Sequence, residues 1–290
     1  NGFYIQFIRY DFLYFKMKCL TLYNGVKIPI LGYGTYEITG EQGYKCIKEA
    51  LQLGYRMLDT AHMYGNEKEV GRAIKDSQIP REQIFVVSKL DSRSNSYEKA
   101  KKQIDRSLSD LGLSYIDLYL IHEPYKQSIE MWRAFEEAYQ QGKLKAIGIS
   151  NFFGKNFDHF VQNVKIMPMV NQIEAHIYFQ RFQDQQKFKE KGVVMMSFSP
   201  LIAGEVNFYN EPILINLAKK YNKTVAQIAL NYLAARDIGT LFWDSKNNTD
   251  AWISFSGTLR DHPLTNEEMN EIKSLDKNET MFSWTRSYGY

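Results

Sequence analysis

Eight short apolar runs, most of them followed by a stretch with helical spacing, restrict the fold of this chain more than any other feature. The runs cover residues 30–34 (ILGYG), 56–59 (RMLD), 85–89 (FVVSK), 116–122 (IDLYLIH), 146–151 (AIGISN), 170–174 (VNQIE), 193–199 (VVMMSFS) and 240–242 (TLF). Helical spacing marks 40–53, 66–76, 97–111, 130–140, 181–191, 213–221, a segment opened by Thr224 and running through 234, and 266–275. No helix is assigned between 151 and 170. Ile47, Ala50 and Leu51 share one helix face, and Ile104, Leu108 and Leu111 share another. Pro124 and Gly142 end their segments. Strands that alternate with helices pair in parallel, which predicts an α/β fold, a closed (β/α)8 TIM barrel. An open doubly wound sheet is the other arrangement. It would gather functional residues at one switch point, whereas here they end several successive strands. With no internal repeat or linker, residues 17–290 read as a single domain.

Two segments precede the first run. Residues 19–28 alternate around Asn24-Gly25, a pair able to take positive φ at both centres of a two-residue turn, and predict a β-hairpin closing the barrel bottom. Residues 1–16 are aromatic-rich but broken by Arg9 and Asp11. They are too short to span a bilayer and read as an N-terminal extension ahead of a start at Met17. A net charge of +3 argues neither for nucleic acid nor for a membrane surface as partner. The two cysteines, Cys19 and Cys46, form no CxxC pattern and suit a reducing, cytoplasmic compartment.

In a parallel barrel the carboxyl ends of the strands meet on one rim. Asp59, Lys89 and His122 end three successive runs, and Tyr64 follows Asp59 in the next loop. These four fit the completion of a carbonyl reduction, in which the new alkoxide oxygen needs a proton. A tyrosine is a weak acid, with a reference pKa of about 10, and a nearby ammonium lowers that value. Asp59 would hold the Lys89 ammonium, and His122 would orient the carbonyl oxygen. Each residue alone also fits a solvated rim charge, a helix cap or a satisfied core histidine; their joint placement at adjacent strand ends does not. Gly32 and Gly34 lack the third glycine of a dinucleotide fingerprint. His122-Glu123 is not a zinc motif, because Lys126 stands where the second histidine belongs and Pro124 forbids the helix, so no metal is expected.

The stretch GYRMLDTAHMYGNE closely resembles the aldo-keto reductase signature, Asp-Thr-Ala-x-x-Tyr-Gly-Asn-Glu around the acid. The likeness runs from about 19 to 275, most closely through 204, and is to bacterial-type diketogluconate and glyoxal reductase-like members. It implies NAD(P)H-dependent reduction of aldehydes or ketones to alcohols. In it Tyr64 is general acid, Lys89 and Asp59 tune it, and His122 orients the substrate. It also implies that Ser150, Asn151 and Gln172 hold the nicotinamide carboxamide and that Phe198 lies against the nicotinamide face. Ser199 and Leu201 would approach the pyrophosphate. Gly34, Thr35 and Tyr36 would line the nicotinamide end, and Ser245 keeps the serine of the family's Ile-Pro-Lys-Ser.

The chain departs from that pattern twice. Glu123 stands where the family often has Trp, and the loop after it is short, which predicts small or polar carbonyl substrates. Beyond the eighth run the chain reads Phe242-Trp243-Asp244-Ser245, with Asp250 near the family's Arg and Ile253-Ser254 near its Glu-Asn pair. Carboxylates would repel a 2′-phosphate, and each lost charged hydrogen bond is worth about 1.5–3 kcal/mol. Three readings stay open: Lys246 or Arg260 compensates for NADPH, NADH is preferred, or the protein is a catalytically impaired or regulatory barrel with weakened cofactor binding. The expected state is a monomer or weak homodimer.

Overall fold

The computed structural model describes residues 18–202, 208–242 and 263–288. A two-stranded antiparallel hairpin, β1 (Cys19–Thr21) and β2 (Lys27–Pro29), precedes eight barrel strands. These are β3 (Leu31–Gly34), β4 (Met57–Asp59), β5 (Phe85–Leu90), β6 (Ile116–Ile121), β7 (Leu144–Ser150), β8 (Val170–Glu174), β9 (Val194–Phe198) and β10 (Gly239–Phe242). They pair in parallel and close as β10-β3-β4-β5-β6-β7-β8-β9, the predicted (β/α)8 barrel. Helices α1 (Gly40–Gln52), α2 (Glu67–Ser77), α3 (Tyr97–Leu111), α4 (Ser128–Gln140), α5 (Gly154–Gln162), α6 (Phe182–Glu190), α7 (Pro212–Tyr221), α8 (Val225–Ala235) and α9 (Asn266–Lys273) alternate with or follow the strands. Residues 1–16 lie outside the described residues.

Burial explains why these runs became strands. Every residue of β3, β4, β5 and β10 is buried, because barrel strands are covered by side chains within and helices without. Between strands and helices, Trp132 stacks on Phe135 with centroids 5.4 Å apart, and Tyr119 packs on Phe135 at 5.2 Å. Gly71 lets α2 approach α3: a Cβ there would lie 2.1 Å from the Leu111 carbonyl oxygen.

The hairpin lies at the amino ends of the strands, as predicted. Tyr23 Oη donates to Met167 O (2.6 Å), Asn24 Nδ2 to Lys145 O (3.0 Å), and Lys18 Nζ to Ala234 O (3.0 Å) and Asp237 (2.8 Å). Its loop differs from the expected two-residue turn. Leu22 N donates to Val26 O (2.8 Å), Gly25 N to Leu22 O (2.9 Å), and only Gly25, at φ +86°, is left-handed. This is a three-residue loop with glycine at the bulge, so Asn24 stays in ordinary backbone space. Helix α5 was not legible in sequence. Its N-cap, Phe153, caps with no side chain, and only Phe157 and Phe160 are buried within it. Tertiary contacts stabilise it: Phe157 meets Phe188 at 4.7 Å and Phe160 meets Trp132 at 5.1 Å. Among the described residues, no helix is long and apolar enough to cross a membrane.

Candidate active site

The loop after β4 is set by buried polar ties. Residues His62–Tyr64 form a single 3-10 turn that Gly65, at φ +68°, terminates. Fully buried Asn66 then donates to Thr35 O (2.7 Å) and Ile38 O (2.8 Å) and accepts from Thr60 Oγ1 (2.6 Å). Buried Glu67 accepts from Ser88 Oγ of β5 (2.6 Å). Thr60, Asn66 and Glu67 therefore hold the Tyr64 loop between the β3 loop and β5. Thr35 adds to this from the other side, donating to Asp59 O through N (2.9 Å) and Oγ1 (3.1 Å). The sequence signal for this scaffold was present in the Asp-Thr-Ala-x-x-Tyr-Gly-Asn-Glu string, but sequence reasoning gave no role to Asn66 or Glu67.

The four predicted catalytic side chains come together. Lys89 is fully buried, and its Nζ donates to Asp59 Oδ1, to Thr60 O (2.9 Å) and to Tyr64 Oη (3.4 Å). The Tyr64 ring packs edge-on to the His122 ring with centroids 5.7 Å apart, and to Tyr36 at 5.1 Å. Burial by itself pulls the Lys89 pKa down. Asp59 and Tyr64 outweigh it and hold the ammonium above its ordinary range. Burial and, secondarily, the Lys89 charge push the His122 imidazole down to about 3, so it is neutral at physiological pH.

Tyr64 corrects one sequence expectation. Lys89 does pull its acidity in the expected direction, but burial is larger and Asp59 adds to it. The phenol lies above its ordinary pKa. The physical reason is desolvation of the buried hydroxyl, to which the Asp59 charge adds by offsetting part of the ammonium's pull.

Most of the predicted cofactor residues join the same cluster. Gly34 lies opposite Asp59 in the β3–β4 register. Ser150 Oγ donates to Gln172 O (2.8 Å), as does Asn151 N (2.9 Å). Asn151 is left-handed at φ +65°, and its Nδ2 reaches His122 O and Ser150 Oγ, each at 3.3 Å. Its Oδ1 is buried without a hydrogen-bond partner among the described residues. Gln172 Nε2 donates to Asp59 Oδ2 (2.9 Å), a contact that sequence reasoning missed.

The far side of the rim is different. The Phe198 ring stacks on Trp284 (6.0 Å, 17°) and meets Phe282 at 6.2 Å. Ser199 is left-handed at φ +50°, its carbonyl accepting from Ile202 N (2.8 Å), and Leu201 is buried. Glu123 is not a solitary carboxylate: it accepts from the Tyr288 hydroxyl, which burial and then Glu123 hold above the usual phenol range. The segment carrying Trp284 and Tyr288 is tied to buried Glu174, which accepts from Met281 N (2.8 Å), His176 Nε2 (3.0 Å) and Thr280 Oγ1. Nothing local in residues 280–288 predicts that placement. Ser245, with Asp244, Lys246, Asp250, Ile253, Ser254 and Arg260, lies outside the described residues. Among the described residues, no group of three His, Cys, Asp or Glu is placed to hold a metal ion.

This arrangement has relatives. The model of the aldo/keto reductase family matches residues 30–277. A 9,11-endoperoxide prostaglandin H2 reductase of Trypanosoma cruzi is 36% identical over 265 residues, covering 90% of this chain and 93% of the relative. A glyoxal reductase of Bacillus subtilis is 35% identical over 260 residues, covering 89% and 92%. Among solved structures, an aldo-keto reductase enzyme from a Medee basin deep-sea metagenome library superposes with a TM-score of 0.87 at 38% identity, covering 91% and 97%. A Bombyx mori aldo-keto reductase in complex with NADP superposes at 0.86 with 29% identity, covering 94% and 97%.

Proposed function

The chain belongs to the aldo/keto reductase family, and from that premise we propose that it reduces small aldehydes and ketones to alcohols with a nicotinamide dinucleotide, Tyr64 giving the proton. One observation carries the reading: the Tyr64 hydroxyl lies 3.4 Å from a fully buried ammonium that is itself paired with Asp59. A phenol above its ordinary pKa is a loaded proton donor at neutral pH. When the proton leaves, Lys89 stands ready to stabilise the phenolate, so the ammonium acts on the product of the transfer rather than on its start. Neutral His122 donates a hydrogen bond to the carbonyl oxygen, holding it toward Tyr64.

The nicotinamide group, when bound, supplies the hydride. The residues present fit its carboxamide: the buried, unpartnered Asn151 Oδ1 is an acceptor suited to an amide N–H, with Ser150 and Gln172 beside it. Phe198, with Gly34, Thr35 and Tyr36, would line the ring end, and Ser199 and Leu201 the diphosphate.

We take NADPH as the cofactor in keeping with the NADP complex of the Bombyx mori relative. Small polar carbonyls suit the five-residue connection from His122 to α4. A monomer or weak homodimer and a cytoplasmic setting are the state and compartment we propose. The test is oxidation of NADPH and of NADH against a panel of small aldehydes, with both cofactors titrated by fluorescence quenching. Turnover with either supports an enzyme. Tight binding without turnover on any carbonyl would instead favour a regulatory barrel.

A further inference from the structure

Strands β4 and β8 stand four places apart in a ring of eight, so they face each other across the barrel. A hydrogen bond spans that distance at the level of the site: Gln172 Nε2 to Asp59 Oδ2, 2.9 Å, between two residues that are each 3% exposed. It completes the carboxylate, because Lys89 takes the other oxygen. Gln172 is itself bracketed by β7, its carbonyl accepting from Ser150 Oγ and Asn151 N. We propose that Gln172 is a positioning residue for Asp59, and that it ties the Ser150–Asn151 donor set mechanically to the Asp59–Lys89–Tyr64 proton-delivering group. The proposal rests on the reductase reading for its catalytic consequence, but the tie itself is testable without turnover.

The geometry makes a role beyond filling space concrete. A buried carboxylate with one donor is free to rotate about its Cβ–Cγ bond and draw the ammonium with it. Donors on both oxygens pin the plane and, through Lys89, the distance to the Tyr64 hydroxyl. Among the described residues the titratable groups against Asp59 are Lys89 from β5 and Tyr64 from the loop after β4, and Glu174 shares with Gln172 one face of β8. Tyr36 and His122 flank Tyr64. The neighbouring strands present Ser150, Asn151 and Met196, none of them charged.

Q172E separates the two roles. A protonated glutamic acid at this place still donates to Asp59, whereas an ionised one sets a second carboxylate against it. Two carboxylates in contact raise the pKa of one of them in the fold, so stability relative to the wild type is kept at low pH and lost as pH rises past the unfolded value. Cofactor-free Q172E should melt within about 2 °C of the wild type near about pH 5 and fall a further ~5 °C or more below it by about pH 8.5. In the D59N background that pH-dependent loss should shrink by at least about half. Turnover of Q172E relative to the wild type should follow the same curve, falling about tenfold further from the acid to the alkaline end, while Q172L loses about tenfold at every pH without a new limb. A melting difference that is flat with pH, or one that persists undiminished beside D59N, would overturn the tie. So would a Q172L enzyme with unchanged kcat. An inactive wild type would sink the reductase reading while leaving the melting experiment to decide the Gln172 contact, and Q172L covers the case in which Q172E fails to fold at high pH.

Discussion

Two buried carboxylates on the same rim are held in opposite ways. Asp59 faces an ammonium and one amide, Lys89 and Gln172. Glu174 takes a backbone N–H, a threonine hydroxyl and an imidazole, so its bonds fasten the chain end rather than tune a reacting group. Both are 3% exposed or less. Burial of a carboxylate is thus no signal of chemistry; the kind of partner is. An acid matched to a buried ammonium reaches the site through that cation, whereas an acid matched to a backbone N–H, a hydroxyl and a ring nitrogen sets only position. Gln172 and Glu174 are two apart on β8 and therefore share a face, so one strand braces the proton donor and the segment carrying Trp284.

The largest expected effect breaks the contrast on the chemical side. Tyr64→Phe removes only the hydroxyl beside Lys89 and should lower kcat by about 10²–10⁴-fold with cofactor Kd unchanged, read by steady-state kinetics and fluorescence titration. Asp59→Ala leaves the ammonium buried without its counter-ion and should cost about 3–5 kcal/mol of stability, measured by urea unfolding, along with activity. Glu174→Gln keeps shape while weakening charged hydrogen bonds. It should cost about 1.5–3 kcal/mol at most and raise KM for the carbonyl more than it lowers kcat. An equal loss of kcat there would place Glu174 with Asp59 and end the distinction.

The imidazole offers a sharper, pH-based separation. His122 has its pKa depressed in the fold to about 3, against about 6.5 when unfolded. The unfolded chain therefore binds the extra proton first. The stability linked to this group is fully present above about pH 6.5 and is lost as pH falls toward about 3. Melting of the wild type should steepen over that window, and His122→Gln should flatten it. Tyr288→Phe is the smallest change, removing one partly exposed hydroxyl from Glu123; about 0.5–1.5 kcal/mol, seen as a modest rise in carbonyl KM with kcat intact, is the expected size.

Much of this was legible before any coordinates. The apolar, β-branched runs at 85–89 and 116–122 became β5 and β6 because barrel strands are buried on both faces and need no polar alternation. Asp59, Lys89 and His122 could be brought together from their strand-end positions alone, since a parallel barrel sends every carboxyl end to one rim. Helix α5 carries no legible signal because its two buried phenylalanines are too few to make a pattern, and neighbours from α4 and α6 stabilise it. The Asn24-Gly25 turn was placed correctly, but its bulged loop depends on register with the strands above. The partners of Glu123 and Gln172, Tyr288 and Asp59, lie more than a hundred residues away in the chain, beyond any local signal.

The order of strands and helices, and the four side chains that end or follow three of those strands, were determined by the chain alone, because periodicity and parallel pairing are properties of short stretches. The net acidity of Tyr64, the donors that complete Asp59 and the covering of Phe198 by Trp284 were decided only by the fold. Desolvation and contact across a barrel depend on which distant atoms exclude water from a site, and no spacing along a sequence carries that information.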